Sequence, residues 1–187
     1  MKVQSRRRTL LSVLEEPAIA IPDEIEQAFR AHHSLVFRTA YRITGNAGDA
    51  EDVLQTIFLR LLRRSNSAEP LENLESYLRR SAVNASLDVI RSRQADQTVS
   101  LPDESSDAMG SSPGQSDLSD LRKALARAMA ELKARPAEIF ALRFMEGLSN
   151  LEIAQLLDIS QVRVAVIVHR TRLQLRKHLR PYLGDRP

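Results

Sequence analysis

Cysteine is absent from this chain, which excludes disulfides, Cys-ligated zinc, iron–sulfur clusters and thiol catalysis. A reducing compartment fits that absence. Tryptophan is missing too, and aromatic residues make up only 4%, so any core must be mainly aliphatic. Six glycines and eight prolines are too few for a collagen-like or wholly disordered chain. No stretch approaches the roughly 20 apolar residues that cross a bilayer. The basic start Arg6–Arg8 leads into a short apolar run that Glu15 and Glu16 interrupt, which is the wrong pattern for a secretory signal. The expectation is a cytoplasmic protein with no membrane insertion. What remains is 187 residues, 43% hydrophobic and 27% charged, enough for one ordinary domain or two small ones.

The net charge of +3 is unevenly spread. Residues 1–94 carry 14 bases and 12 acids, residues 95–117 carry five acids and no base, and residues 118–187 carry 13 bases and seven acids. The middle segment is also rich in Ser, Gly and Pro and has no helical or strand period. It is expected to be a flexible acidic linker. The chain then divides into an N-terminal tail (1–20), a first module (21–94), the linker (95–117) and a second module (118–187).

Both modules read as helical. Val53, Leu54, Ile57, Phe58, Leu61 and Leu62 recur on one face of a helix over 47–64, with Asn46 as N-cap. Residues 24–43, ended by Gly45, and 74–93, with Leu78, Ala82, Ala85 and Val89, make two more. In the second module, 118–133 has strong helix propensity, Pro136 suits a first helical position and Gly147 a stop. Ser149 and Glu152 form a capping box. A break at Asp158-Ile159-Ser160 precedes a long helix from Gln161 to about Leu179. Residues 159–180 hold Arg163, Arg170, Arg172, Arg176, Lys177 and Arg180 and no acid. A brace helix, a tight turn and a basic helix are a helix-turn-helix pattern suited to phosphate contact. The fold class is therefore all-α, two small helical domains. Gly-rich phosphate loops and nucleophile elbows are missing, and His32, His33, His169 and His178 form no metal-ligand set. No enzyme activity, cofactor or metal is expected.

The motif Gly45-Asn-Ala-Gly-Asp-Ala-Glu-Asp-Val-Leu-Gln-Thr-Ile-Phe-Leu-Arg-Leu61 resembles region 2 of bacterial RNA polymerase sigma factors. Tyr77-Leu-Arg-Arg-Ser-Ala-Val-Asn-Ala-Ser-Leu-Asp-Val-Ile-Arg91 resembles the helix that handles the −10 promoter element. The stretch from Arg135 to Ser160 resembles region 4, which binds the −35 element. Two regions in a short chain are similar to the extracytoplasmic-function (ECF) subgroup of the sigma-70 family. The resemblance implies a factor that binds core RNA polymerase, on its β′ clamp and β flap, and directs it to promoter DNA, with an anti-sigma factor as a further partner.

Carried over by position, the resemblance implies polymerase binding by Asp49, Glu51, Asp52, Gln55 and Phe58, although the acids also suit helix capping and Phe58 also suits a core. It implies −10 contacts by Arg79, Arg80, Asn84, Asp88 and Arg91, and −35 contacts by Ser160, Gln161, Arg163, Arg170 and Arg172. The loop 65–73 corresponds to one that captures a flipped base, but its sequence offers no evident pocket. The second module departs from the family where Ala165, Val166 and Ile167 replace a Lys-Ser-Arg-like triplet and Asp158 replaces the turn glycine. Five of the seven residues 162–168 are β-branched, which lowers helix propensity. An exposed Val-Ile surface more often meets protein than DNA, so −35 recognition is expected to be weak or unusual. That apolar stretch supports an alternative: a sigma-like adaptor or decoy that binds polymerase or an anti-sigma factor without starting transcription. A plain helix-turn-helix repressor would leave the 45–91 match without a cause.

Overall fold

The computed structural model describes residues 22–65, 73–99 and 113–183. The expected N-terminal tail, most of the loop after residue 65, and residues 100–112 of the expected linker lie outside them. Every described element is a helix: α1 (Asp23–Thr44), α2 (Ala47–Ser65), α3 (Leu74–Val99), α4 (Pro113–Ala130), α5 (Ala134–Phe144), α6 (Asn150–Leu157) and α7 (Gln161–Leu183).

Local chemistry sets the helix ends. Asp23, Glu24 and Glu26 occupy the first turn of α1, where the helix dipole favours negative charge. Gly45 ends α1 at φ 70°, a left-handed conformation that glycine reaches without Cβ strain, and its N–H donates to the Tyr41 carbonyl at 2.9 Å. Asn46 then starts α2: its Oδ1 accepts from the Asp49 N–H at 3.0 Å. Asn73 does the same for α3 through Ser76, at 2.9 Å. In the second module the capping box at Ser149 and Glu152 is complete. Asp158 takes the left-handed turn position at φ 50°, and Ser160 Oγ caps α7 through the Arg163 N–H at 3.3 Å.

Some expected boundaries move. Helix α3 runs on to Val99 and α4 begins at Pro113, so helices occupy both ends of the expected 95–117 linker. Nothing in Ala95–Val99 breaks a helix, and proline at a first helical position lacks only an N–H that would have been unpaired. Helix α5 starts at Ala134, which puts Pro136 third in its first turn, where the same reasoning tolerates it. Helix α7 continues to Leu183 through Pro181 in its last turn. The β-branched run 162–168 is helical, because Val164 is fully buried against the second module and tertiary packing outweighs propensity.

Helices α1, α2 and α3 pack on one another around Val36, Ala40, Val53, Ile57, Leu61, Leu78 and Ala82. Helix α7 lies across α4, α5 and α6 over a second core containing Met129, Ile139, Leu142, Ile153, Val164 and Leu175. That second core does not stop at the module boundary. It includes Ile43 of α1 and Val83, Leu87 and Ile90 of α3, with α4 and α5 covering α3. Helix α3 is thus apolar on two sides. Leu78, Ala82 and Ala85 face its own bundle, while Val83, Leu87 and Ile90 face the second module. The two expected helical modules are therefore in contact, with a shared interior between them. The physical reason is this second aliphatic strip, which water would otherwise cover.

Candidate nucleic-acid and partner interfaces

Three surfaces gather the residues singled out by sequence. The first is the outer side of α2. Its inner side is anchored by Ala50, Val53, Ile57, Phe58 and Leu61, which turns Glu51, Asp52 and Gln55 to solvent. Leu59, one turn beyond Gln55, is 53% exposed and extends this acidic edge with an apolar group. Sequence reasoning passed over Leu59; the i+4 spacing from Gln55 was the available signal.

Two expected members of this surface sit differently. Phe58 is buried in the core, edge-on to Phe29 with ring centroids 4.9 Å apart, so it supports the surface from below. The Asp49 side chain is 13% exposed and pairs with Arg93 of α3 at 2.6 Å, tying α2 to α3. Burial pushes its carboxyl above the ordinary aspartate value; the Arg93 charge opposes this and the neighbouring Asp52 charge adds to it.

The second surface belongs to α3. Arg79, Arg80 and Asn84 lie on the side turned to the second module, and Asp88 and Arg91 pair with each other at 3.0 Å further along the helix. Arg80 Nε donates to Glu138 Oε1 at 2.7 Å, and Asn84 Nδ2 donates to the same oxygen at 3.1 Å. Arg135 Nη1 donates to Glu138 Oε2 at 2.9 Å. Burial alone would raise the Glu138 pKa, but these three hydrogen bonds outweigh it and hold the carboxyl below the ordinary glutamate value. Arg79 Nη1 donates to Glu146 Oε2 at 3.0 Å, while Arg42 Nη1 donates to Glu146 Oε1 at 3.2 Å. Arg42, Glu138 and Glu146 were not foreseen, since a contact between residues 54 to 104 positions apart leaves no local pattern.

The third surface is α7. Val164, Thr171 and Leu175 form its buried stripe. At about 100° per residue, Val162, Val166 and Leu173 fall on the opposite side. All three are exposed, Val162 to 74%. Arg163, Arg170 and Lys177 flank this apolar ridge on one side, and Arg172 and Arg176 flank it on the other. The Arg172 guanidinium also lies 5.9 Å from the centre of the Phe144 ring. Ser160 and Gln161 are exposed at the N-terminal end of the ridge. Among the described residues no group of three His, Asp or Glu side chains is placed to hold a metal ion, and no helix is long and apolar enough to cross a membrane.

These features define a two-module helical protein with an acidic edge on α2, a polar face on α3 and a basic helix-turn-helix. Residues 28–95 match Sigma-70 region 2, and residues 122–175 match Sigma-70 region 4. The chain is 33% identical over 158 residues to the RNA polymerase sigma factor CarQ of Myxococcus xanthus, covering 84% of this chain and 90% of that one. It is 32% identical over 163 residues to the ECF RNA polymerase sigma factor SigE of Mycolicibacterium smegmatis, covering 86% of this chain but only 63% of that relative. The ECF sigma factor SigW of Bacillus subtilis is 26% identical over 155 residues, covering 78% of this chain and 83% of that one. The fold is similar to that of the sigma factor RpoE from Bartonella quintana, solved in complex with the anti-sigma factor NepR. The TM-score is 0.52 at 23% identity, covering 88% of this chain and 99% of that one. The chain belongs to the ECF group of the sigma-70 family of RNA polymerase sigma factors.

Proposed function

We propose that this chain binds core RNA polymerase in the cytoplasm and directs it to promoter DNA by binding and strand capture, without covalent chemistry of its own. The carrying observation is the edge of α2, where Glu51, Asp52, Gln55 and Leu59 are exposed together on a helix whose other side is core. That edge suits a basic and partly apolar groove, for which the polymerase β′ clamp is the candidate. Asp49 contributes by setting the angle between α2 and α3. Arg79, Arg80 and Asn84, with Arg91 further along α3, offer donors to the phosphates and base edges of an opened −10 strand. The second module then addresses the β flap and upstream −35 DNA. Gln161, Arg163, Arg170 and Arg172 lie within reach of a groove, and Val162 and Val166 are able to meet thymine methyls.

Replacing Glu51 and Asp52 with Lys is expected to weaken polymerase binding by about 2 kcal/mol or more, leaving helical circular dichroism unchanged. Unchanged co-elution with core polymerase would reject this docking edge. Run-off transcription with core polymerase and this protein alone tests initiation directly.

The apolar ridge of α7 favours a second reading, in which the chain is an adaptor or decoy engaged by an anti-sigma factor through Val162, Val166 and Leu173. Polymerase binding without any run-off transcript, together with no protection of −35 DNA in a footprint, would select that reading.

A further inference from the structure

The outward face of α7 is apolar where a groove-reading helix ordinarily carries hydrogen-bonding groups. Val162, Ala165 and Val166 are exposed on one stripe of its first two turns, with His169 one turn further. Val162 stands 74% exposed and Val166 42%. The core does not ask for these groups. Val164 already fills the buried site, and Ile167 and Val168 pack beside it. A hydrocarbon stripe turned to solvent on so basic a helix needs a separate cause.

The flanks indicate what covers it. Arg163 and Arg170 border the stripe on one side and Arg172 and Arg176 on the other, all exposed, and residues 159–180 contain no acid. Two basic borders on one helix match the two phosphate backbones that wall a major groove. Seated there, the stripe faces base-pair edges. Those edges carry nitrogen and oxygen donors and acceptors, and one hydrocarbon group among them, the C5-methyl of thymine. Val162, Ala165 and Val166 offer no hydrogen bond to guanine or cytosine, so either base would be desolvated there without a partner.

We infer that α7 reads its DNA site through thymine methyl groups. Val162 and Val166 are the specificity-determining side chains, and the small Ala165 lets the helix approach closely. Arg170, Arg172 and Arg176 hold the helix on the backbone and carry no sequence information. Gln161, at the N-terminal end of the stripe, is left for an adenine edge next to it. This rests on the assignment of α7 to −35 DNA made above and names the feature that is read.

The test uses the full chain reconstituted with core polymerase. The probe is a duplex library randomised upstream of the −10 position. Retained duplexes should be enriched in thymine within the upstream stretch that the holoenzyme protects. A selected duplex is then rebuilt with deoxyuridine at each of those thymines in turn. Uracil pairs with adenine as thymine does and lacks only the C5-methyl. Each contacted methyl should be worth about fourfold in affinity, the cost of exposing one buried apolar carbon. Val162→Thr with Val166→Thr keeps the branching and nearly the helix propensity of both sites. It should weaken binding to the thymine duplex and bring the thymine-to-uracil ratio close to one. Arg170→Ala should weaken binding to both duplexes equally, as loss of a phosphate contact does.

A ratio of one for the unaltered chain at every selected thymine would overturn the methyl reading. So would a ratio that the threonine variant leaves intact. Either result would leave the stripe to a protein partner, as in the second reading above. A holoenzyme that retains −10 DNA but shows no upstream preference or protection would reject the −35 assignment itself, and the methyl reading with it.

Discussion

Single carboxylates in this protein are tuned in opposite directions by the same two forces, burial and pairing. For Glu138, hydrogen bonds win over burial, so the folded pKa lies below the ordinary value of 4.5. Its contribution to stability is present above that value and is lost as pH falls through the depressed one. For Asp49, burial wins over the Arg93 charge, so the folded pKa lies above 3.8. Its ionised form is disfavoured by folding, and its contribution falls as pH rises from 3.8 through the raised value. The melting temperature followed from pH 3 to pH 6 should separate them. Glu138→Gln should flatten the rise of stability with pH, and Asp49→Asn should steepen it. Because Arg93 already neutralises the Asp49 carboxylate, Asp49→Asn should also weaken polymerase binding less than Asp52→Asn does, in a direct titration.

At the scale of elements, the sequence was informative wherever a signal is local. The apolar face of α2, the Asn46 cap and the capping box of α6 all follow from spacings of four residues or fewer, while the left-handed Asp158 follows from the turn glycine it replaces in the family pattern. Ser149→Ala should therefore cost about 1 kcal/mol in a denaturant melt. Asp158→Gly should be neutral or stabilising, and Asp158→Val destabilising, since only the last forces a β-branched residue to φ near 50°. Legibility failed where a residue's surroundings come from distant elements. The helix over Val162–Val168 was expected despite its β-branched residues, but that Val164 would be its buried member among α4–α7 was not legible. Composition also misplaced the helix ends at Val99 and Pro113, because acidity and serine content describe solvation better than backbone geometry.

The whole molecule was the least legible. Charge and linker composition marked out the two modules, but nothing local marks Val83, Leu87 and Ile90 as an interface rather than part of the first bundle. Asn84, Glu138 and Glu146 carry no spacing that links them either. The distinction appears only when α3 is seen to be covered on two sides. A shared interior should make the chain melt as one cooperative unit by calorimetry. Leu87→Asp should split that transition in two, whereas Leu78→Asp, in the core of the first bundle, should remove that bundle's transition altogether.

The two-sided character of α3 also bears on what any break between the modules would expose. Once the halves part, Ile43, Val83, Leu87 and Ile90 become a greasy seam open to any neighbour, including another molecule of the same kind. A chain opened there by mutation or partial unfolding is then a candidate for clumping or proteolytic clearance.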